Sequence, residues 1–144
     1  MECDIHLHIE IKLNGTWHHY AAPDIQRWYK LFEKMAGVRG ELKDAISPPK
    51  GMPEDITEVT RYSNFKLQPY AHSHSWLGLD EIVELEDWLN EQIEITSNYT
   101  DLNLEFGILH TYLFGNSFAG FKRYPEDYEN SGIQDVRFVF WFDN

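Results

Sequence analysis

The stretch that decides the fold is Cys3-Asp4-Ile5-His6-Leu7-His8-Ile9-Glu10-Ile11-Lys12. Its polar and apolar residues alternate strictly, which is the pattern of a half-buried β-strand. We expect the apolar residues to carry helices and the polar residues to form the opposite face of a sheet. On that polar face His6 and His8 lie about 6–7 Å apart along the backbone. Two neutral imidazoles at this spacing suit a metal ion or a phosphate, or they belong to an ordinary polar surface.

A hairpin is predicted directly after this strand. Asn14-Gly15 is a strong signal for a two-residue type I′ turn, because both central positions of that turn need positive φ. With this turn, Leu13 opposes Thr16 in the second strand and Glu10 opposes His19. A surface pair of Glu10 with His19 then explains that histidine without a ligand role.

The last stretch of the chain, Val136 to Phe142, is apolar on both faces except for Arg137. Such a strand is buried on both sides, so we expect it at the centre of the sheet beside the first strand. A charge in a buried strand needs a partner. We therefore expect the Arg137 guanidinium to contact Asp4, Glu10 or a bound anion.

Apolar residues recur at helical spacing in three further stretches, and these predict helices that cover the apolar face of the sheet. The helices are expected from Asp24 to Gly37, after Gly78, and from Thr100 or Asp101 to Gly115. A short helix is also predicted near Pro53 to Thr60. The segments 38–72 and 114–134 are otherwise expected to be long packed loops.

These elements define the expected fold class. It is an α+β domain, in which a small antiparallel sheet contains the N-terminal hairpin and a central C-terminal strand. About three helices lie on one face, with long loops between the elements. The 144 residues are expected to form a single domain, residues 1–144.

A second pair of histidines, His72 and His74, is predicted to lie in a loop just before the second helix. Free N–H groups and the helix dipole attract anions there, although such residues also cap helices. If the long loops fold over the polar face of the first strand, both histidine pairs converge on one site. The residues that would meet there are Asp4, His6, His8, His72, His74 and Arg137.

Composition limits the partners. The chain has 12 Lys and Arg against 24 Asp and Glu, a formal net charge of −12 without a cluster of cations. Extended nucleic acid is therefore an unexpected partner. Cys3 is the one cysteine, so we expect neither an internal disulfide nor a cysteine-based zinc site. No apolar run is long enough to span a bilayer, and we expect a soluble cytoplasmic protein without a membrane partner.

Several stretches are distinctive in combination. They are Cys3-Asp4-Ile5-His6, Tyr29 to Phe32 followed by Met35 to Arg39, Ile46 to Ile56, His72 to Leu77, and Asp135 to Asn144. Together they resemble a family of small hypothetical proteins carried by tailed bacteriophages and some bacteria. The resemblance spans nearly the whole chain. It implies a phage context, and with it the host cell cytoplasm, but it supplies no activity and no catalytic residue.

Three classes of function fit these observations. The first, slightly favoured, is binding of a nucleotide-like or other anionic small molecule, in a phage context a host defence signal. Aromatic side chains near Lys122 would stack on such a ligand. The residues assigned to it are His6, His8, His72, His74, Arg137 and Arg123. A homo-oligomer is compatible with this function.

The second class is metal-dependent hydrolysis of a phosphoester. Asp-x-His-x-His at the start of a strand resembles the first metal motif of barrel-type amidohydrolases, although this chain is too short for their barrel. A Zn or Mn ion would be held by Asp4, His6, His8, His72 and His74. The third class is an acidic protein that binds and blocks another protein, which the net charge alone supports.

Overall fold

The computed structural model describes residues 2–98, 100–114, 126 and 131–144. Within these residues the strands are β1 (Asp4–Leu13), β2 (Thr16–Ala21), β3 (Ala71–Leu77) and β4 (Ile133–Asp143). The α-helices are α1 (Tyr29–Ala36), α2 (Glu58–Lys66), α3 (Leu79–Ile95) and α4 (Thr100–Phe114), and Leu42–Asp44 forms a short 3-10 helix. The strands form one open antiparallel sheet in the order β2-β1-β4-β3. The predicted α+β class is confirmed.

The hairpin between β1 and β2 forms as predicted. Asn14 and Gly15 both have positive φ, 50° and 77°, and Leu13 pairs with Thr16. Glu10 pairs with His19, also as predicted, and one extra residue of β2 then shifts the register. Because the extra residue lies in β2, the alternation of β1 continues without interruption past the end of its partner strand.

The predicted central position of the last strand is confirmed, because β4 pairs with β1 on one side and with β3 on the other. Three phenylalanines at every second position of β4, Phe138, Phe140 and Phe142, are fully buried. The ring centroid of Phe142 lies 5.1 Å from that of Phe32 in α1. This face of the sheet forms the apolar core with α1, α3 and α4. We call it the core face.

Two predictions about local structure are wrong. The segment that contains His72 and His74 is not a loop but β3, an edge strand. This segment has weak strand propensity, and Ser75 and Leu77 are its only fully buried positions. Its backbone pairing with β4 nevertheless makes it a strand. In addition, α1 begins at Tyr29 and not at Asp24, although it ends as predicted at Gly37, whose φ is 76°. The segment before α1 is held to β1 instead, because Arg27 pairs with Asp4.

A fourth helix, α2, lies on the other side of the sheet and covers the polar face of β1. It spans Glu58–Lys66, so it overlaps the short helix predicted from Pro53 to Thr60 only at Glu58–Thr60, and residues 53–57 are not helical. Thr57 is its N-cap and accepts a hydrogen bond from the Thr60 backbone. The long loop predicted after residue 38 thus does cover the polar face, and part of it is helical. Most of the loop predicted at 114–134, including Arg123, lies outside the described residues.

The turn geometry predicts opposite effects for the same substitution at two glycines. Gly15→Ala should lower the free energy of unfolding by about 1–2 kcal/mol, because a Cβ is unfavourable at this positive φ. Gly107→Ala in α4 should raise it by up to about 1 kcal/mol, because its added Cβ meets no atom within 4 Å and Ala favours helices. Urea unfolding measures both. Equal effects of the two variants would contradict the turn assignment.

Candidate functional site

The outer face of the sheet, opposite the core face, is built around Trp141 of β4. The imidazoles of His6 and His8 stack on its indole, with ring centroids 6.1 and 5.2 Å away and planes inclined by 16° in both cases. His74 of β3, the strand on the other side of β4, also stacks on Trp141, with 6.1 Å between the ring centroids. The structure therefore brings together three of the four histidines of the predicted site. They meet because His6 directly opposes Trp141 in the β1–β4 ladder.

His72 does not belong to this cluster, and the predicted meeting of two complete histidine pairs is wrong in this respect. Between His72 and Ser75, β3 has one residue more than β4, and Ser73 has a φ of 55°. This bulge places His72 opposite Phe142, on the core face, where the two ring centroids lie 6.3 Å apart. Hydrogen bonds to Ser73 and Asn144 hold its imidazole there.

His8 forms a hydrogen bond with His19 on the neighbouring strand, with 2.9 Å between Nδ1 of His8 and Nε2 of His19. Burial, and to a lesser extent the adjacent His19, lower the pKa of His8 to about 4. Burial also lowers the pKa of His19. Both imidazoles are therefore neutral at pH 7, and His8 supplies no positive charge to the site. His19 opposes Glu10 in the ladder as predicted, but its side chain contacts His8 in place of the predicted surface pair with Glu10.

Glu10 instead forms a buried ion pair with Arg137 on β4. Its side chain is fully buried, and Arg137 Nε donates to Oε1 at 2.8 Å. The other oxygen, Oε2, accepts from the backbone N–H and hydroxyl of Thr57 and from the hydroxyl of Thr60. Burial alone would raise the pKa of Glu10, but these hydrogen bonds outweigh burial and leave the pKa lowered. The carboxylate is thus ionised and fully satisfied.

The remaining contacts of Arg137 are also within the protein. Its Nη1 donates to Oδ1 of Asp55 at 2.8 Å, and its Nη2 donates to the carbonyl of the same residue at 3.1 Å. The guanidinium carbon lies 3.9 Å from the centroid of the Trp17 ring. The predicted contact of Arg137 with Glu10 is confirmed. With Glu10 and Asp55 as partners, the guanidinium stabilises the fold.

A cleft of about 480 Å³ opens beside His6 at the rim of the outer face. It is lined by residues 5–8 of β1, by residues 22–24 after β2, and by Ser63, Lys66 and Leu67 of α2 and its C-terminal end. Nε2 of His6 lies 2.8 Å from Oδ2 of Asp143, a contact that fixes the orientation of the ring. The sequence did not indicate Ser63 or Lys66, because their place at the cleft depends on how α2 docks.

The predicted metal ligands are engaged elsewhere. Asp4 pairs with Arg27 at 2.6 Å, and this hydrogen bond lowers the pKa of the Asp4 carboxyl. His74 forms a hydrogen bond of 2.8 Å with Asn64 of α2, and burial lowers its pKa. In the described part of the chain, no group of three His, Cys, Asp or Glu side chains is placed to hold a metal ion.

Comparisons of the chain with protein-family models, curated proteins and solved structures find no match. Among the helices in the described ranges, none is long and apolar enough to cross a membrane.

The buried ion pair predicts a large effect of one substitution. Arg137→Met should lower the free energy of unfolding by about 3–5 kcal/mol, because it leaves the Glu10 carboxylate buried and uncompensated. Adding Glu10→Gln should recover part of this loss, because the amide carries no charge and can still accept from Thr57 and Thr60. Urea unfolding of the two single variants and the double variant measures the coupling. Additive effects would contradict the pairing.

The buried imidazole of His8 predicts a loss of stability in acid. Below its ordinary pKa of 6.5 the unfolded chain binds a proton at this residue, whereas the folded protein does not until about pH 4. The free energy of unfolding should therefore fall by about 3 kcal/mol between pH 6.5 and 4 through this residue. His8→Gln should flatten that slope, whereas His18→Gln, at an exposed position of β2, should not. Equal slopes in both variants would contradict the assignment.

Proposed function

We propose that the protein binds a small anionic molecule in the cleft between β1, α2 and the segment that follows β2. The observation that carries this proposal is the lining of the cleft, in which Lys66, Ser63 and His6 adjoin apolar residues. The Lys66 ammonium lies 5.1 Å from the centroid of the Tyr62 ring and has no ion-pair partner in the described structure. A volume of about 480 Å³ lies within the range of known small-molecule sites, roughly 300–1,000 Å³.

Each of these groups has a separate role in the proposed complex. Lys66 supplies the positive charge that attracts the anion, and Ser63, one turn earlier on the same helix, supplies a hydroxyl donor. His6 offers a polar ring whose orientation is fixed by Asp143. Pro23 and Leu67 provide apolar contact for the uncharged part of the ligand. Nucleotides and organic carboxylates both have this combination of a charged and a less polar part.

The resemblance to phage proteins suggests a biological role for such a site. A binding protein made in the host cytoplasm could sequester a small anionic defence signal of the host. We do not extend the proposal to metal-dependent hydrolysis, because the predicted ligands Asp4, His8 and His72 are each held by other contacts. Inhibition of another protein has only the net charge in its favour.

The proposal predicts that Lys66 is needed for binding. Isothermal titration calorimetry should detect binding of at least one anion from a panel of phosphate, adenosine monophosphate, glutamate and acidic tripeptides. Lys66→Gln should raise the Kd of that anion roughly ten- to a hundred-fold, the loss of one charge-assisted contact.

Lys43→Gln is the matched control, because Lys43 is exposed in the 3-10 helix and does not line the cleft. It should leave the Kd unchanged. If no anion of the panel binds the wild-type protein, or if both variants lose affinity equally, the proposed site is wrong.

A further inference from the structure

The floor of the cleft is an unpaired strand edge. On the side of β1 that faces β2, pairing covers only Ile9 to Leu13, where Ile9 meets Ala21. In the ranges that the structure describes, no strand pairs with residues 4–8 of β1 on this side. The same residues are paired with β4 on their other side, from Asp4 to His8 without interruption. In the described structure, residues 4–8 of β1 are therefore an edge of the sheet.

The register shows which backbone groups face this edge. In a hairpin with a two-residue turn, the closing pair, here Leu13 with Thr16, exchanges its backbone hydrogen bonds. Every second residue of β1 then directs its N–H and C=O toward the same side, which includes Ile5 and Leu7. This direction explains why both residues line the cleft although their side chains are buried in the core.

In the described part of the chain, the segment that follows β2 does not cover this edge. After Ala21 the chain continues into Ala22 and Pro23, and proline has no N–H with which to extend the β1–β2 ladder. The same segment is tied to β1 at Arg27, whose Nε donates to Oδ1 of Asp4 at 2.6 Å. The cleft lies between Pro23 and Arg27, where a strand pairing with residues 5–8 would otherwise lie.

We infer that the ligand of the cleft is peptide-like: a short extended peptide that carries a carboxylate and adds a strand to β1. This inference rests on the proposed function and specifies its ligand. A peptide residue opposite Ile5 and another opposite Leu7 would together make four backbone hydrogen bonds. The carboxylate would meet Lys66 and Ser63 on α2. A phosphate or a nucleotide lacks the repeating N–H and C=O groups that this edge requires.

Amide hydrogen exchange measured by NMR tests the edge and its occupant in the same experiment. In the free protein, the amides of Ile5 and Leu7 should exchange at least about a hundred-fold faster than those of His6 and His8, which point toward β4. A pool of acetylated and amidated tripeptides with a central Glu and varied apolar neighbours is then added. It should slow exchange at Ile5 and Leu7 at least about ten-fold, and less in Lys66→Gln than in Lys43→Gln.

A second pool, identical except for N-methylated backbone amides, should have no effect on exchange. Equal protection of all four amides in the free protein, or equal effects of the two pools, would overturn the inference of strand addition. Binding of adenosine monophosphate or phosphate that depends on Lys66, without an effect of the peptides, would overturn this inference and leave the proposed anion site intact. If none of these anions binds, both proposals fail.

Discussion

The outer half of the molecule depends on the buried ion pair between Glu10 of β1 and Arg137 of β4. Removing two charges from water is costly, and the cost is recovered only when every donor and acceptor finds a partner. Here the partners come from a segment distant in sequence, since Asp55, Thr57 and Thr60 complete the pair. The ion pair thereby fixes where that segment crosses the sheet and where α2 begins.

This requirement also explains the unusual orientation of α2. Thr60 is fully buried, whereas Val59, Tyr62 and Phe65 are exposed, with 73% of Phe65 accessible to solvent. An amphipathic helix normally buries its apolar side. Here the surface beneath α2 is polar. The hydroxyls of Thr57 and Thr60 donate to Glu10, and Oδ1 of Asn64 accepts from His74, and these hydrogen bonds hold the helix to the sheet. The docking of α2 by its polar side places Ser63 and Lys66 at the cleft.

Much of the sheet could be predicted from the sequence because its signals are local. Strict alternation identified β1, Asn14-Gly15 set the register of the hairpin, and the apolar last stretch identified β4. The pairing of Arg137 followed from the cost of a buried charge. These inferences need only the periodicity of a strand and the chemistry of one turn.

The remaining features depend on contacts between distant segments. The sequence of β3 has too few apolar residues to predict a strand, and pairing with β4 determines its structure. The positive φ of Ser73, which places His72 and His74 on opposite faces of the sheet, cannot be predicted from the residue type. The cleft could not be predicted either, because Lys66 reaches it only through the contacts of Thr57 and Thr60 with Glu10.

The charges around the cleft restrict its ligand further. Asp4 is neutralised by Arg27, and Asp143 is engaged by His6, which leaves Lys66 and Asp24 as the charged residues of the cleft without an ion pair in the described structure. Lys66 can pair with one carboxylate of a ligand, and Asp24 can pair with an ammonium if the ligand is a zwitterion. A polyphosphate would bring several negative charges to a protein with a formal net charge of −12, with one Lys to compensate them. Local charge and the unpaired edge of β1 therefore favour the same class of ligand, a short peptide with few charges.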